Sequence, residues 1–219
     1  MEIFKNFVVF EGLDGSGTTT QIGLLENSYL QKQQTRAEGR LSCLPPFYKT
    51  CEPTNGSIGK LLRSALQKEI TLDPKTIALL FAADRNEHVY APGGIAERCS
   101  RGELVVSDRY LPSSLVYQGI TCGEALPERL NMDFPGPELL IFLDIDSETA
   151  QNRMTARGAK REIFEDLEFQ ILVRQRYKAL LPQLSAGGVK VEIIDASLTE
   201  EEVAREVWGA IEKMPIIKG

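Results

Sequence analysis

The chain has 219 residues, a length that suits one α/β domain and is enough to bury a full hydrophobic core. Hydrophobic residues make up 42% of it and charged residues 26%, as in an ordinary globular protein, and the formal net charge is −6. This charge provides no basic field to attract nucleic acid, so we expect no nucleic-acid partner, and an anionic substrate would need cations placed at its site.

The cysteine and histidine content argues against a structural zinc site. The four cysteines have no C-x-x-C spacing, and the chain has one histidine, so a Cys/His site is close to excluded. We expect free thiols and a cytoplasmic protein. No stretch is apolar for long enough to cross a membrane, and the first motif follows Met1 too closely to leave room for a signal peptide, so we expect no membrane partner.

Short apolar runs alternate with longer amphipathic runs along the chain. Strands are predicted, in chain order, at Phe7–Glu11, through Pro46–Cys51, and at Glu103–Asp108, Glu138–Ile145 and Val189–Asp195. Helices are predicted at Thr18–Gln33, Ser57–Gln67, from Asp73 onward, and at Leu111–Gln118, Glu148–Arg157, Glu165–Leu184 and Glu200–Lys213. Asp73 and Pro74 supply an N-cap and a proline at the first helical position.

This alternation predicts an α/β fold, in which a parallel sheet of about five strands lies between two layers of helices. Ligands of such sheets bind beyond the carboxyl ends of the strands. The sequence has no internal repeat and no linker, so residues 1–219 are expected to form a single domain. The segment 39–50 is the hardest to assign.

The stretch FVVFEGLDGSGTTTQ, Phe7–Gln21, has the order of a phosphate-binding loop, with a strand, a glycine-rich turn and a helix. Its glycines allow consecutive backbone N–H groups to converge on a phosphate at the start of the helix. The Thr19 hydroxyl is placed for Mg²⁺. A glycine-rich turn that binds nothing is the alternative. The residues expected to bind the ATP phosphates are Gly12, Gly15, Ser16, Gly17, Thr18, Thr19 and Thr20.

The loop lacks the lysine of the motif G-x-x-x-x-G-K-[ST], because Thr18 stands in its place. A unit-charge contact at about 4 Å, with an effective dielectric of about 20, is worth roughly 4 kcal/mol before desolvation. If nothing replaced this contact, the rate of catalysis would fall by a factor that approaches roughly a thousand. Either another cation acts at this site, or the protein is a poor catalyst.

Further motifs indicate a family. The loop, the segment LLFAADRNEHV (Leu79–Val89) and the segment VVSDRYLPSSLVYQG (Val105–Gly119) resemble, in order and spacing, three signatures of bacterial thymidylate kinases. The resemblance implies a P-loop NTPase-type fold and a nucleoside monophosphate kinase domain. It also implies transfer of the γ-phosphoryl group of ATP to dTMP, giving dTDP for dTTP biosynthesis, with Mg²⁺ as cofactor. A homodimer is expected by resemblance alone.

The chemistry of these residues agrees with the acceptor site that the resemblance implies. Phe81 and Arg85 share a helix face, where a ring can stack on a base while a guanidinium binds its edge, and the matching family pair contacts thymine. A core phenylalanine beside a surface arginine is the plain alternative. Asp108 and Arg109 follow a strand, at the edge where such sheets bind ligands. By resemblance Arg109 binds the dTMP phosphate, and Asp108 helps to organise Mg²⁺.

The resemblance assigns further acceptor contacts to the loop and to the helix after Arg109. Asp14 matches an aspartate that meets the 3′-hydroxyl of dTMP and lies near the transferred phosphoryl group. Tyr117 matches a tyrosine that crowds the sugar 2′ position. Ser114, Tyr117 and Gln118 fall at i, i+3 and i+4 of this helix, Ser114 is also expected to bind dTMP, and the resemblance assigns Gln118 to the base.

The turn after the second strand departs from the family pattern. The family has T-R-E-P, and this chain has Thr50-Cys51-Glu52-Pro53, so that Cys51 replaces a cation. Glu52 and Pro53 keep the turn and are expected to bind dTMP. Lys49 and Lys60 lie nearby and are candidates to compensate for the lost charge.

A basic segment follows the strand LLIFLDI. Most basic runs of this kind form a solvent-exposed surface. One class of the family, however, supplies arginines to the phosphates from a mobile lid. This chain resembles that class because its phosphate-binding loop contains no arginine. We therefore predict a lid at about residues 153–166 that supplies charge and excludes water. Glu168 matches a family acid near the metal. The predicted catalytic residues are Asp14, Arg109, Arg153, Arg157 and Arg161.

Two other functions stay open. One is a related phosphotransferase that acts on another nucleotide. The other is a nucleotide-binding protein that has lost catalysis, since two cations are missing from one phosphate-handling site.

Overall fold

A computed structural model describes residues 1–38, 44–156, 163–164 and 166–218. The strands are β1 (Ile3–Gly12), β2 (Phe47–Cys51), β3 (Leu104–Asp108), β4 (Gly136–Asp144) and β5 (Lys190–Asp195). The helices are α1 (Thr18–Glu38), α2 (Ser57–Leu66), α3 (Pro74–Tyr90), α4 (Ile95–Ser100), α5 (Leu111–Cys122), α6 (Ala125–Asn131), α7 (Ser147–Ala156), α8 (Leu167–Ala186), α9 (Glu200–Ile211) and α10 (Pro215–Lys218). Arg157, Arg161 and most of the predicted lid lie outside the described residues.

The five strands form one parallel sheet in the order β2-β3-β1-β4-β5, which confirms the predicted α/β fold. The central strand β1 has β3 on one side and β4 on the other, so the chain crosses from one half of the sheet to the other beside β1. In open parallel sheets, ligands bind at the carboxyl ends of the strands at such a crossing point. The loops that follow β1, β2 and β3 meet there.

Both faces of the sheet are covered. Val8 and Phe10 of β1 pack in a cluster with α1, α8 and α9, whereas Phe7 and Val9 pack in a second cluster with α3 and α4. All four side chains are fully buried. Because successive side chains of a strand point to opposite faces, this division places one helical layer on each side of the sheet. It explains why the strands read as continuous apolar runs.

The structure corrects several predicted boundaries. β1 begins at Ile3 rather than Phe7, and its register with β4 shifts between Phe4 and Val8. The helices α4, α6 and α10 were not predicted, because each is too short to show a periodic pattern. The start of α3 is as predicted, since the Asp73 side chain accepts a hydrogen bond from the Lys75 backbone N–H at 2.9 Å. Among the helices so described, none is both long and apolar enough to span a membrane.

Candidate active site

A cavity of about 690 Å³ lies over the carboxyl ends of β1, β2 and β3, and its volume is typical of a small-molecule site. It brings together most of the predicted site residues: Asp14, Gly15, Gly17, Thr18, Thr19, Glu52, Pro53, Phe81, Arg85, Asp108, Arg109, Ser114, Tyr117 and Gln118. The other predicted site residues for which the structure gives positions do not line this cavity; they are Gly12, Ser16, Thr20, Arg153 and Glu168.

The glycine-rich loop connects β1 to α1 at one end of this cavity. Gly15 has φ +86°, and a Cβ atom there would overlap the Ala150 carbonyl oxygen of α7, so both conformation and space require glycine. Gly17, with φ +97°, accepts the first intrahelical hydrogen bond, from Gln21. The N–H groups of the first turn of α1 therefore have no intrahelical acceptor. Together with the helix dipole, they give this end of α1 a partial positive charge, which suits an anion.

Two of the three predicted metal ligands lie together. Thr19 Oγ1 donates to Asp108 Oδ2 at 2.5 Å, which joins the start of α1 to the end of β3. A hydroxyl and a carboxylate are hard oxygen donors that suit Mg²⁺, an ion that usually keeps several waters and binds substrate phosphates. Glu168 is exposed in the first turn of α8 and does not line the cavity. Within the described ranges, no cluster of three or more His, Cys, Asp or Glu side chains could hold a metal ion.

Arg109 and Asp14 form an ion pair at the centre of the cavity. Arg109 has φ 68°, a left-handed conformation that is strained for a residue with a side chain, and its Nη1 donates to the Gly12 carbonyl at 3.1 Å. Burial would lower the pKa of Arg109, but Tyr117 and Asp14 raise it well above its ordinary value, so the guanidinium stays charged. Asp14 also accepts a hydrogen bond from Gln170 Nε2 at 3.3 Å.

Glu11 holds the segment that follows Arg109 in place. Its buried carboxylate accepts hydrogen bonds from the backbone N–H groups of Tyr110 and Ser113 and from the Tyr177 hydroxyl, at 3.0, 3.2 and 2.8 Å. These bonds fix the start of α5, because both N–H groups belong to its first turn. Burial raises the pKa of Glu11, while Arg109 and the hydrogen bonds lower it.

The turn after β2 is held at three consecutive residues. Glu52 pairs with Arg85, its Oε2 lying 2.7 Å from Nη2. Pro53 offers its carbonyl oxygen to Arg63 of α2. Thr54 donates from its backbone N–H and its hydroxyl to the Asp84 carboxylate, at 2.7 and 2.6 Å. Asp84, which stands between Phe81 and Arg85 in the segment Leu79–Val89, therefore anchors this turn.

The far end of the cavity is a slot lined by Phe81, Arg85, Ser114 and Gln118. Arg85 is almost fully buried, and its guanidinium donates to Asn131 Oδ1 and to Ser114 Oγ, the latter at 2.9 Å. Arg85 Nε and Gln118 Oε1 are two of six buried side-chain polar atoms that lack a hydrogen-bond partner among the described residues. Both side chains line the slot, where they offer hydrogen-bond donors and an acceptor to a ligand. Phe81 adds an aromatic surface.

Arg63 lies beside the position of the missing cation. Its Nη2 is 3.6 Å from Cys51 Sγ, and its side chain lines the cavity. Burial raises the pKa of the Cys51 thiol, although Arg63 lowers it. Lys49 also lines the cavity but pairs with Glu26 of α1, whereas Lys60 is exposed and does not reach the wall that the described residues form.

Sequence reasoning missed several supporting residues. Asp84 was visible inside a motif, but its role depends on Thr54, far away along the chain. Arg63 and Gln170 stand in ordinary helical patterns, and no local signal marks them. Glu11 was visible as an acidic residue inside an apolar strand, an arrangement that requires a buried partner.

Comparison with known proteins gives one consistent answer. The family model described as "Thymidylate kinase" matches residues 10–207. A putative thymidylate kinase of Treponema pallidum is 39% identical over 207 residues, which cover 94% of each chain. A probable thymidylate kinase of Pyrobaculum aerophilum is 38% identical over 209 residues, 95% of this chain and 97% of that one. A putative thymidylate kinase of Aeropyrum pernix is 40% identical over 185 residues, 84% of this chain and 82% of that one. The chain therefore belongs to the thymidylate kinase family.

Proposed function

We propose that this chain transfers the γ-phosphoryl group of ATP to dTMP, giving dTDP for dTTP biosynthesis. The observation that carries this proposal is a single cavity that connects an anion-binding loop to a buried polar slot, with the Arg109–Asp14 pair between them. Family membership supports the same reaction. Phosphoryl transfer depends mainly on positioning and on neutralising charge, and this arrangement provides both.

The donor end is the glycine-rich loop. The N–H groups at the start of α1 would bind the ATP phosphates, and Thr19 with Asp108 would hold Mg²⁺, which bridges and neutralises phosphate oxygens. Arg109 is placed to bind the dTMP phosphate, because its charged guanidinium faces the cavity next to the loop. Asp14 keeps this guanidinium oriented.

The acceptor end fits a thymine base. A thymine presents carbonyl oxygens and one N–H group along its edge, and the Arg85 guanidinium and the Gln118 amide, which line the slot, carry matching donors and an acceptor. Phe81 would stack on the ring. A cytosine presents a donor and an acceptor in the opposite order along this edge, so it would pair less well with these side chains. Tyr117 would exclude a ribose 2′-hydroxyl.

The charge that Thr18 cannot provide comes, in this proposal, from the lid. Thr18 is only 7% exposed and brings no cation to the loop. We assign the chain to the lid-arginine class, with Arg153, Arg157 and Arg161 closing over the terminal phosphates. Arg153 lies on α7, whose residues Met154 and Thr155 line the cavity next to the loop. Arg63 supplies the charge that Cys51 lacks at the acceptor phosphate.

A coupled assay of ADP release tests the reaction directly. ATP and Mg²⁺ are supplied with dTMP, dUMP, dCMP or dGMP in turn, and we expect dTMP to give the highest kcat/KM. A higher value with another acceptor would favour a related nucleotide kinase. Binding of ATP and dTMP without ADP release would favour a nucleotide-binding protein that has lost catalysis.

Three further proposals accompany this function. Residues 1–219 form a single kinase domain, since one sheet organises all the described elements. Two copies associate through the outer face of α3, which carries the exposed side chains of Leu79 and Tyr90. The described cysteines, Cys51, Cys99 and Cys122, are free thiols, which fits a reducing cytoplasm.

A further inference from the structure

His88, the single histidine of the chain, is buried in a series of hydrogen bonds that leads to the acceptor slot. Its Nε2 is 2.6 Å from Thr50 Oγ1, and its Nδ1 is 3.0 Å from Glu52 Oε1. The other oxygen of Glu52 accepts a hydrogen bond from Arg85 Nη2 at 2.7 Å. His88 therefore contacts the Glu52 carboxylate, which in turn contacts the guanidinium of Arg85, a residue that lines the cavity.

The chemistry of the partners fixes the direction of these hydrogen bonds. Glu52 is an ionised acceptor because it pairs with Arg85, so the proton of a neutral His88 ring must be on Nδ1. Nε2 is then an acceptor, and the Thr50 hydroxyl donates to it. Each of these groups has a partner of the correct kind, and the orientation of the ring is determined at both nitrogens.

Among the side chains that the structure describes, the Glu52 carboxylate pairs with His88 and with Arg85. Without His88, Oε1 would be a buried acceptor with no donor, and the carboxylate would turn to find one. A turn of Glu52 would weaken its hydrogen bond to Arg85 Nη2 and leave the guanidinium held only by Asn131 and Ser114 among the described side chains. The turn after β2 would survive this change, because Thr54 is held independently by Asp84.

We propose that His88 is a positioning residue for acceptor recognition, which acts through Glu52 to hold the Arg85 guanidinium at the wall of the acceptor slot. This inference rests on the proposed function, because it takes Arg85 to contact the acceptor. It assigns to His88 a role in nucleotide selectivity in addition to its part in packing β2 against α3.

The test compares His88→Ala, His88→Asn and His88→Gln. An Asn amide reaches the place of Nδ1 and keeps a donor to Glu52, whereas a Gln amide reaches further, toward Thr50. We expect His88→Ala and His88→Gln to raise the KM for dTMP about tenfold, the effect of one hydrogen bond to a charged group, with the KM for ATP within about twofold of wild type. His88→Asn should stay within about threefold for both substrates, and calorimetric binding of dTMP should follow the same order.

Val89→Ala is the matched control, because Val89 is the next residue of α3, is fully buried and makes no polar contact. It should lower the melting temperature and leave the KM for dTMP unchanged. Equal dTMP values for His88→Asn and His88→Gln, or a rise with Val89→Ala as large as that with His88→Ala, would overturn the inference. If His88→Ala fails to fold, the comparison of the KM for dTMP between His88→Asn and His88→Gln tests the inference. Failure of the proposed function is distinguishable, because wild type itself would then neither bind nor phosphorylate dTMP.

Discussion

At the scale of single residues, the loop around Thr18 must handle phosphate charge without its lysine. We expect Arg153→Ala, Arg157→Ala and Arg161→Ala each to lower kcat at least about tenfold. Combining Thr18→Lys with any one of these substitutions should recover most of the loss, because the lysine and the lid arginines supply charge to the same phosphates. Steady-state assays with ATP and dTMP measure this. Thr18→Gln, which lengthens the side chain without charge, is the control.

Near-normal rates in the alanine variants would remove the lid from the mechanism. Thr18→Lys alone should change kcat by less than about tenfold, since the closed lid already provides the charge; a much larger gain would mean that the lid compensates only in part.

Arg63 and Cys51 lead to a second prediction at the residue scale. Arg63→Met should raise the KM for dTMP about tenfold, because a charged contact to the acceptor phosphate is lost while the apolar stem is kept. Cys51→Arg should restore the KM in the Arg63→Met chain and change it little in the wild-type chain. Additive effects of the two substitutions would contradict the proposal that Arg63 takes the place of the cation missing at position 51, since residues that share one role couple in a double-mutant cycle.

The residues of the candidate site were largely predictable where they belong to a local sequence motif. The loop, the pair Phe81 and Arg85, and the pair Asp108 and Arg109 all follow strands or share a helix face, and the cavity unites them. Arg63 could not be found in this way, because its role arises from contact with Pro53 and Cys51 of another element. Contacts made in tertiary structure leave no local period in the sequence.

At the scale of elements, the alternation of strands and helices predicted the fold because buried parallel strands have a distinctive apolar composition. Helix ends were less predictable. The structure ends α5 at Cys122, where Gly123 has φ 86°, well beyond the predicted Gln118. The sequence TCGE after Ile120 gave no periodic signal for that last turn.

The cap of α3 provides a prediction at this scale. Asp73→Ala should lower the free energy of unfolding by about 1 kcal/mol, because the Lys75 N–H loses its acceptor. Urea denaturation measures the change, and Asp73→Ser, which keeps a capping oxygen, should retain most of the stability. The KM for dTMP should stay at the wild-type value, since Asp73 does not line the cavity. Equal losses for Ala and Ser would show that the cap contributes nothing.

At the scale of the whole molecule, stability in acid depends on carboxylates that are stabilised in the folded state. Burial raises the pKa of Asp144, but hydrogen bonds from Arg174 and Lys178 outweigh it and lower the pKa below its ordinary 3.8. The folded chain therefore releases this proton more readily than the unfolded chain. The resulting stability is present above pH 3.8 and is lost as the pH falls through the lower, folded value.

Asp144→Asn should accordingly cost on the order of 1 kcal/mol at pH 7, a modest value because solvent screens the pair, and progressively less as the pH falls below 4 (roughly). Urea denaturation of both chains at several pH values measures the difference. A difference that stays constant with pH would assign the effect to packing and not to charge.

Association of two copies is the last prediction at this scale. Leu79 and Tyr90 are each 51% exposed and, with Ala83 and Asn86, lie along the outer face of α3, which packs between α2 and α6. A stable interface of about 800 Å² per partner needs such an apolar centre. Leu79→Glu should convert a dimer into a monomer in sedimentation velocity, because it places a charge at that centre. Leu30→Glu on α1, where Leu30 is 48% exposed, is the control and should remain dimeric. A monomeric wild type, or equal dissociation by both variants, would remove α3 as the interface.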